Sequence, residues 1–310
     1  MNRPDELPDL RASRPGDYGE SAMLWSGEPL HTFTAQSPED FDWLERMILE
    51  NGFYERERIW GPEVNHDKRA IAEIVAAFAP ARALEVGCNS GPVLQALEEL
   101  DVYCEGVEIS GLAIARAARG IRDRIHAGDL LGLDLVGRFD VVFGLDIFEH
   151  FNPNRLHDYL AKIAALLEDG GYLFAAIPAF SDDPVFGLVF PVYIREWYTE
   201  IGLGRHFRLI HVDDQGYPMN GHLIWADSLW WVTQFRQHGF HREEMIEHAL
   251  HDKYDHFFGA CLHPSGRRWR KALAPGGIHA PPAGREDAGA REPRRPPLRH
   301  PAPGGRPDVP

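Results

Sequence analysis

The short stretch DIFEH carries three side chains that could do chemistry: Asp146, Glu149 and His150, spaced D-x-x-E-H. Histidine titrates near neutral pH, so it is well suited to take a proton from an oxygen or nitrogen nucleophile. Two carboxylates and one imidazole are also a ligand set for Mg²⁺, Mn²⁺ or Zn²⁺. The residue types alone therefore leave base catalysis and metal-assisted chemistry both open.

A second group of reactive and aromatic side chains lies in the stretch RLIHVDDQGYPMNGHLIWADSLWW. His211 and His222 are candidates for the base, or for a group that orients an acceptor; the alternative is that both are ordinary hydrogen-bonded loop histidines. Tyr217 and Trp225 are candidates for the wall of a substrate pocket, because flat apolar rings exclude water.

The stretch ALEVGCNSG, residues 83–91, is typical of a buried strand that turns sharply into a helix. Gly87 lets the chain leave the strand, Asn89 tolerates a left-handed backbone, and Gly91 lets the helix pack close to the strand. Such a turn admits a ligand close to the backbone, although the same glycines also occur for packing alone.

Two carboxylates follow at the ends of the next two predicted strands. Glu108 lies 21 residues after Gly87, near the interval at which an acidic side chain accepts hydrogen bonds from a ribose in adenosine-binding α/β folds. Asp129 is placed to receive an adenine amino group. The alternatives are a solvated glutamate and an aspartate that caps a turn.

The hydrophobic pattern of the sequence predicts the strands and helices that position these residues. From residue 82 onward, short apolar runs alternate with segments of helical periodicity, which predicts a parallel sheet with helices on both faces. The apolar runs are RALEVG, VYCEGVEI, RIHAGDL, FDVVFGL and GYLFAAIP, and the helical segments are 91–100, 110–119 and 154–168. The last helix is expected to stop at Gly170 and Gly171.

Two helices are predicted before the sheet begins. Ser37 and Asp40 form a capping box around Pro38, and Gly52 ends the first helix. The second, over 66–78, is capped by Asn65.

Two elements are predicted near the end of the sheet region. A helix over 228–238 is expected to end at Gly239, and residues 241–250 and 256–263 are expected to form a closing hairpin.

The predicted domain organisation has four parts. A loosely ordered segment, 1–36, precedes the helices of 37–80. The main domain, 81–265, contains an insertion at 179–222, rich in aromatic residues and proline, that is expected to cover the ligand. The last part, 266–310, is rich in proline, glycine and arginine and is expected to be a disordered tail.

Composition excludes some classes of partner. The formal charge of -15 argues against nucleic acid and against anionic membranes, so a small or uncharged substrate is expected. The three cysteines have no paired spacing, and neither a signal sequence nor a membrane span is recognisable. A cytoplasmic protein is therefore expected.

The chain resembles the class I S-adenosylmethionine-dependent methyltransferases over roughly residues 65–265. The resemblance depends on LEVGCNSG, VEIS, GDLL, FDVVFGLDIFEHF and GGYLFAAIP, in the family's order and at its usual intervals. It implies an α/β fold with a Rossmann-like seven-stranded methyltransferase sheet, helices on both faces, N-terminal helices and an insertion after strand 5. It also implies S-adenosyl-L-methionine as the cofactor.

The same resemblance implies a set of cofactor-binding residues. They are Glu85, Gly87, Asn89, Gly91, Glu108, Ile109, Asp129, Leu130, Leu145 and Asp146. The first four would line the methionine and ribose side, Glu108 would bind the ribose hydroxyls, and Ile109 would pack on adenine. Asp129 and Leu130 would meet the adenine edge, and Leu145 and Asp146 would border the sulfonium. The family often has glycine at the position of Asn89, which departs from the pattern but tolerates the same backbone.

The D-x-x-E-H spacing is also similar to that of quinone-biosynthesis O-methyltransferases and small-RNA 3′-end methyltransferases. In those proteins an equivalent group binds a divalent metal at the acceptor oxygen, which would make Asp146, Glu149 and His150 ligands. A metal is not the favoured interpretation, because many family members carry the same EH pair without one.

The function predicted is methyl transfer to an oxygen of a small molecule or saccharide-containing intermediate. His150, His222 and His211 are the candidate catalytic residues, and Tyr217 and Trp225 the candidate substrate contacts. The alternatives are a nonenzymatic cofactor-binding or scaffold protein that retains the fold and an RNA methyltransferase, which would need a basic groove. The sequence leaves the identity of the acceptor and the oligomeric state open.

Overall fold

The computed structural model describes residues 7–22, 27–56, 63–177, 196–197, 200, 203–204, 207–243 and 245–246, and the backbone of 266–271. The strands are β1 Tyr18–Ala22, β2 Pro29–Thr34, β3 Ala83–Val86, β4 Cys104–Glu108, β5 Ile125–Ala127, β6 Phe139–Leu145, β7 Leu167–Ala176, β8 Leu209–His211, β9 Phe240–Arg242 and β10 Gly266–Lys271. The α-helices are α1 Pro38–Glu50, α2 His66–Ala76, α3 Pro92–Glu98, α4 Gly111–Arg116, α5 Arg119–Arg122, α6 Leu156–Leu166 and α7 Ser228–Gln237. Short 3-10 turns span Leu10–Ala12, Phe53–Glu55, Leu130–Gly132, Phe148–His150, Pro153–Arg155 and Met219–Gly221.

The main sheet has the order β5-β4-β3-β6-β7-β10-β9. Its five strands from β5 to β7 are parallel, and β10 runs antiparallel to both of its neighbours. The chain builds outward from β3 to β5 and then returns to place β6 on the other side of β3. Ligands of doubly wound sheets bind at such a reversal of strand order, beyond the carboxyl ends of the strands.

Helices cover both faces of this sheet, as predicted. On β3, Leu84 belongs to a core that includes Leu160 of α6 and Trp231 of α7. The adjacent Ala83 belongs to a second core, which includes side chains of α2 and α3. Because successive side chains of a strand point to opposite faces, the apolar strands bury both sides of the sheet.

The predicted stop of α6 at Gly170 and Gly171 is wrong. The helix ends at Leu166, and both glycines lie inside β7. Leu167 takes an extended backbone and pairs with Phe139 of β6, and the register shifts before the next pair. The two glycines therefore belong to an irregular strand and do not end the helix. Gly170 has φ 80° within this strand.

The prediction of a loosely ordered segment at 1–36 is also wrong for its described residues. Strands β1 and β2 form an antiparallel pair, and β2 pairs in turn with β8, which lies inside the predicted insertion. Phe33 of β2 is fully buried in a third core, formed by the N-terminal segment, α1 and residues near β8. We call this three-stranded sheet together with α1 the cap.

The end of the chain departs from the predicted boundary. Residues 266–271 form β10 between β7 and β9, so the part predicted as a tail begins with a strand of the main sheet. The predicted hairpin partner at 256–263 and the rest of the predicted tail, 272–310, lie outside the described residues. Within the part of the chain that is described, no helix has the length and apolar character needed to cross a bilayer.

Candidate functional site

A cavity lies beyond the carboxyl ends of β3, β4 and β6, between the main sheet and α1 of the cap. Eight of the ten residues predicted to bind the cofactor line it. They are Gly87, Asn89, Glu108, Ile109, Asp129, Leu130, Leu145 and Asp146. The separate sequence motifs thus converge on one site at the reversal of strand order.

The turn after β3 adopts the left-handed backbone that its sequence predicts. Gly87, Asn89 and Gly91 have φ of 73°, 56° and 73°. A Cβ on Gly87 would lie 2.7 Å from the side chain of Ile147, and one on Gly91 would lie 2.5 Å from Ile121. Both glycines are therefore required by backbone conformation and by space, and asparagine is accommodated between them.

Glu108 fastens this turn to the end of β4. Its Oε2 accepts the backbone N–H of Asn89 at 2.8 Å, and its Oε1 accepts that of Ser110 at 2.8 Å. Burial raises the pKa of this carboxyl, while the backbone N–H groups oppose the shift. A carboxylate offers about four acceptor positions, so lone pairs remain for a ligand in the cavity.

Asp129 stands at the end of β5 with several partners of its own. Its Oδ1 accepts the backbone N–H of Leu131 at 2.9 Å, and its Oδ2 accepts the hydroxyl of Tyr159 at 2.7 Å. The guanidinium of Arg155 also lies 3.4 Å from Oδ2. The carboxylate is therefore held in a fixed orientation at the cavity wall.

The other two predicted cofactor residues lie next to the cavity rather than in its lining. Gly91 is the N-cap of α3. Glu85 is buried on β3, and its Oε2 has no hydrogen-bond partner among the described residues. Burial, with a smaller contribution from Glu108, raises the pKa of Glu85 to about 8, although Lys68 opposes the shift. A buried acceptor atom without a partner is the kind of group that a ligand cation can satisfy.

Asp146 and His150 also line the cavity. Asp146 is not glycine yet has φ 50°, a strained conformation of the kind found at functional sites. The Nδ1 atom of His150 lies 2.9 Å from the hydroxyl of Tyr54. Burial lowers the pKa of His150 to about 4, against the opposing effect of two backbone carbonyls, so the imidazole is neutral at pH 7.

Glu149 points away from the cavity lining into the protein, where it meets two histidines. Its Oε1 lies 3.9 Å from Nε2 of His150 and 3.6 Å from Nε2 of His222. Burial, and then the charge of Asp146, raise the pKa of Glu149 well above its ordinary value. Among the residues described, the group of possible metal ligands is Glu149, His150 and His222. It differs from the predicted trio, because His222 takes the place of Asp146.

The remaining predicted residues lie in the core of the cap and are not among the cavity lining. The hydroxyl of Tyr217 accepts a hydrogen bond from Asn51, and its ring stacks on Phe53. The indole of Trp225 donates to the carbonyl of His222 at 3.1 Å. His211 is buried on β8, where burial and then His31 lower its pKa. The geometry gives these residues structural contacts and no place in the cavity wall.

Sequence reasoning missed the contribution of the N-terminal region to the cavity. The lining includes Glu45, Ile48, Leu49, Tyr54, Phe151, Tyr159 and Leu223. One signal was present in the sequence: Leu49 is an apolar residue next to the predicted inward-facing Ile48. In the structure Leu49 lies outside the buried stripe of α1 and remains 51% exposed. Tyr159 lies on the buried face of α6, where its ring stacks on Phe151 while its hydroxyl reaches Asp129.

Polar contacts hold α1 over the cavity. The amide of Asn152 is fully buried and donates to Asp42 at 2.8 Å and to Glu45 at 2.9 Å. Arg155 forms an ion pair with Glu45. Because Glu45 lines the cavity, these contacts connect the position of the cap directly to the shape of the site.

Residues 63–253 match the family model described as a methyltransferase domain. The chain belongs to this methyltransferase family. The match covers the parallel strands, the glycine turn and every residue predicted to bind the cofactor. The predicted membership among class I S-adenosylmethionine-dependent methyltransferases is therefore confirmed, and S-adenosylmethionine is the cofactor of such enzymes.

Two curated proteins are similar to part of this methyltransferase. It is 32% identical over 116 residues to a probable non-canonical nonribosomal peptide synthetase, CymA, of Salinispora arenicola, covering 34% of this chain and 2% of that protein. It is 27% identical over 112 residues to a ubiquinone biosynthesis O-methyltransferase of Bordetella avium, covering 34% of this chain and 45% of that protein. The chain thus spans less than half the length of either curated relative.

A solved structure supports the fold of this methyltransferase. It is the 1,6-didemethyltoxoflavin-N1-methyltransferase of Burkholderia thailandensis, with bound 1,6-didemethyltoxoflavin and S-adenosylhomocysteine. The TM-score is 0.50 at 16% identity, and the match covers 82% of this chain and 100% of that one. The predicted Rossmann-like architecture is confirmed at that level.

Proposed function

We propose that this methyltransferase transfers the methyl group of S-adenosylmethionine to a hydroxyl oxygen of a small molecule or saccharide-containing intermediate. The observation that carries the proposal is the convergence of Glu108, Asp129 and the Gly87–Gly91 turn on one cavity, which Asp146 and His150 also line. One end of the cavity then holds the adenosine, and the other receives the acceptor.

The residues present suit the cofactor. Glu108 retains lone pairs for the two ribose hydroxyls after it has accepted the N–H groups of Asn89 and Ser110. Glu85, whose buried Oε2 has no partner among the described residues, suits the charged amino group of the methionyl portion. Ile109 and Leu130 supply apolar surface for adenine.

Asp129 would accept the adenine amino group. Its carboxylate is already oriented by Leu131 and Tyr159, so little side-chain freedom is lost when a ligand binds. Leu145 and Asp146, at the end of β6, would border the sulfonium.

When bound, the cofactor supplies a methyl group whose sulfur leaves as a neutral thioether. The chain must then align the acceptor, exclude water and manage the acceptor's proton. The apolar part of the cavity wall, which excludes water, includes Ile48, Leu49 and Phe151. Of the three candidate histidines, His150 is the one among the cavity lining, which supports it as the residue that acts on the acceptor hydroxyl.

Oxygen is proposed as the accepting atom because the 27% identical relative of Bordetella avium is an O-methyltransferase. A small neutral acceptor also agrees with the lining, which contains carboxylates and no lysine or arginine among the described residues. Phosphorylated acceptors would find no counter-charge there.

Cofactor binding is tested by calorimetric titration of the full chain with S-adenosylmethionine and S-adenosylhomocysteine. The wild type should bind both, and Glu108→Ala should lower the affinity at least about tenfold, since hydrogen bonds to charged groups are involved. The exposed Glu98→Ala serves as the matched control and should bind like the wild type. A wild type that binds neither compound would contradict the proposal.

The accepting atom is tested separately with methyl-¹³C-labelled cofactor. Incubation with a panel of hydroxylated and aminated small molecules should give products whose labelled carbon has the chemical shift of an O-methyl group. Exclusive formation of N-methyl products would overturn the assignment of oxygen while leaving cofactor binding intact.

A further inference from the structure

The phenol of Tyr54 contacts the imidazole of His150 across the cavity lining. Its hydroxyl lies 2.9 Å from Nδ1 of His150, and both side chains line the cavity. In a neutral histidine, the hydrogen bond made by one ring nitrogen determines which nitrogen carries the proton. Tyr54 is therefore placed to control how His150 meets an acceptor.

The 3-10 turn that carries this tyrosine, Phe53–Glu55, is fastened to the start of α4. The carbonyl of Tyr54 accepts the hydroxyl of Ser110 at 3.0 Å. The carboxylate of Glu55 accepts two backbone N–H groups at the start of the helix, at 2.8 Å and 2.9 Å. The backbone of Tyr54 is thus held in place, so little freedom is lost when its hydroxyl bonds to the imidazole.

Gly221 leaves the space in which the two side chains meet. A Cβ there would lie 2.5 Å from the Tyr54 hydroxyl and 3.1 Å from Nδ1 of His150, and the backbone has φ 84°. Burial lowers the pKa of His150, and the carbonyls of Asp146 and Gly221 oppose that shift by stabilising a proton on the ring. Since Gly221 lies beside Nδ1, its surroundings favour a proton on that nitrogen.

We propose that Tyr54 is a positioning residue for His150: its phenol oxygen accepts the Nδ1–H, and the ring presents the lone pair of Nε2 to the acceptor hydroxyl. This inference depends on the proposed function. Nε2 lies 3.9 Å from Oε1 of Glu149, beyond hydrogen-bond distance, so that carboxyl does not engage it. Enzymes that use a histidine base commonly orient it through a third group on the other nitrogen.

A phenol fixes the tautomer without adding a charge. Burial chiefly raises the pKa of Tyr54 above its ordinary value, so the hydroxyl stays neutral. A neutral partner leaves His150 a weak base, which is sufficient for methyl transfer to a hydroxyl. As the oxygen–carbon bond forms and the carbon–sulfur bond breaks, sulfur keeps the electron pair, and the oxygen becomes acidic enough to give its proton to Nε2.

The tautomer is tested by NMR of the full chain, labelled with ¹⁵N-histidine and saturated with S-adenosylhomocysteine. Long-range ¹H–¹⁵N correlations show which ring nitrogen carries the proton, and His150→Asn identifies the signals of His150 by removing them. The wild type should carry the proton on Nδ1, and Tyr54→Phe should shift the population toward the Nε2–H tautomer.

Tyr18→Phe is the matched control for this spectrum. It removes the hydroxyl of another tyrosine of the cap, which donates to the carbonyl of Gly216 at 2.9 Å and is not among the cavity lining. Its His150 signals should be those of the wild type.

Methyl transfer to the acceptor that the labelled-cofactor panel identifies gives a second measurement. Tyr54→Phe should lower kcat at least about tenfold and leave KM for the acceptor within about twofold, because the phenol acts on the acceptor through His150. A raised KM with unchanged kcat would overturn the proposal, since it would make Tyr54 a substrate contact instead.

Two further results would overturn the proposal: a wild type whose His150 carries its proton on Nε2, or a Tyr54→Phe variant with the tautomer and kcat of the wild type. Circular dichroism and S-adenosylhomocysteine affinity show whether each variant is folded. If Tyr54→Phe does not fold, the wild-type spectrum still decides between the tautomers. A wild type that binds S-adenosylhomocysteine with the proton on Nε2 would reject this inference alone, whereas failure to bind would reject the proposed function.

Discussion

The backbone N–H of Asn89 donates to Oε2 of Glu108 at 2.8 Å, so one carboxylate joins the turn after β3 to the end of β4. The other oxygen of Glu108 holds Ser110 at the start of α4. The shape of the turn and the position of the proposed ribose-binding group are therefore fixed by the same side chain. A substitution that alters the turn should therefore also move the Glu108 carboxylate, and a substitution of Glu108 should also alter the turn.

Gly87→Ala should damage the turn. The new Cβ would lie 2.7 Å from Ile147 at a backbone φ of 73°, so both steric overlap and conformational strain are expected. The free energy of unfolding should fall by about 1–3 kcal/mol. The affinity for S-adenosylhomocysteine should fall at least about tenfold, because the turn lines the cavity.

Chemical denaturation and calorimetry measure the two effects of Gly87→Ala. The matched control is Gly132→Ala, since a Cβ on Gly132 meets nothing within 4 Å. Equal cofactor affinity in Gly87→Ala and the wild type would show that the turn does not approach the cofactor.

Cofactor binding should release protons at neutral pH. The pKa of Glu85 is raised to about 8, so its carboxyl is mostly protonated at pH 7 before the ligand binds. A charged amino group beside it would lower that pKa, and the affinity contributed by Glu85 should increase as pH rises toward 8 and level off above it.

Calorimetry in buffers of different ionisation enthalpy counts the protons released at pH 7. Wild type should release up to about one proton on binding S-adenosylhomocysteine, and Glu85→Gln should release fewer. Identical proton counts in the two proteins would remove Glu85 from contact with the amino group.

Asn152→Ala should loosen α1 from the rest of the protein. The side-chain amide is fully buried and donates to Asp42 and Glu45, so its removal breaks two hydrogen bonds to charged acceptors. The expected loss of unfolding free energy is about 1–3 kcal/mol. Cofactor affinity should also fall, since Glu45 lines the cavity.

A double-mutant cycle with Glu45→Ala isolates this contact. A coupling energy of about 0.5–3 kcal/mol between the two substitutions is expected from denaturation curves. Strictly additive effects would mean that the hydrogen bond from Asn152 to Glu45 does not hold the cap.

Asp40 should make stability depend on pH in the acid range. Burial would raise the pKa of its carboxyl, but hydrogen bonds from Arg14 and from the backbone N–H groups of Ser37 and Gln36 outweigh it and hold the pKa below the ordinary 3.8. Because the folded pKa is depressed, the stabilisation is fully present above about pH 4 and is lost as pH falls through the folded value.

Asp40→Asn should remove about 1 kcal/mol at pH 7 and flatten the acid limb of the stability profile. The exposed Asp134→Asn is the control and should leave the profile unchanged. A profile of Asp40→Asn with the same slope below pH 4 as the wild type would contradict this assignment.

Local patterns in the sequence were sufficient for the parallel sheet and the turn. Gly87, Asn89 and Gly91 are set by backbone conformation, which a short stretch of residues determines. Glu108 and Asp129 each follow a strand, and parallel strands bring their carboxyl ends to one edge. Their meeting at one cavity follows from these two facts.

The cap could not be predicted in the same way. Its β2 pairs on one side with β1 and on the other with β8, which begins at Leu209. Because β2 and β8 are far apart in the sequence, no local hydrophobic pattern indicates that they pair. His222 is also far in sequence from Glu149 and His150, so the sequence did not indicate that it lies beside them. Tyr217 and Trp225 are aromatic residues of the kind found in binding sites, but they pack in the third core.

The pairing of β2 with β8 also constrains how acceptor preference can be engineered. The cap is assembled from two stretches of chain, one before the main sheet and one after its fifth parallel strand. A chimera that takes only one of these stretches from a homologue would combine a β2 and a β8 whose sequences are not matched for pairing. Transplanting substrate selectivity therefore requires that both stretches be exchanged together.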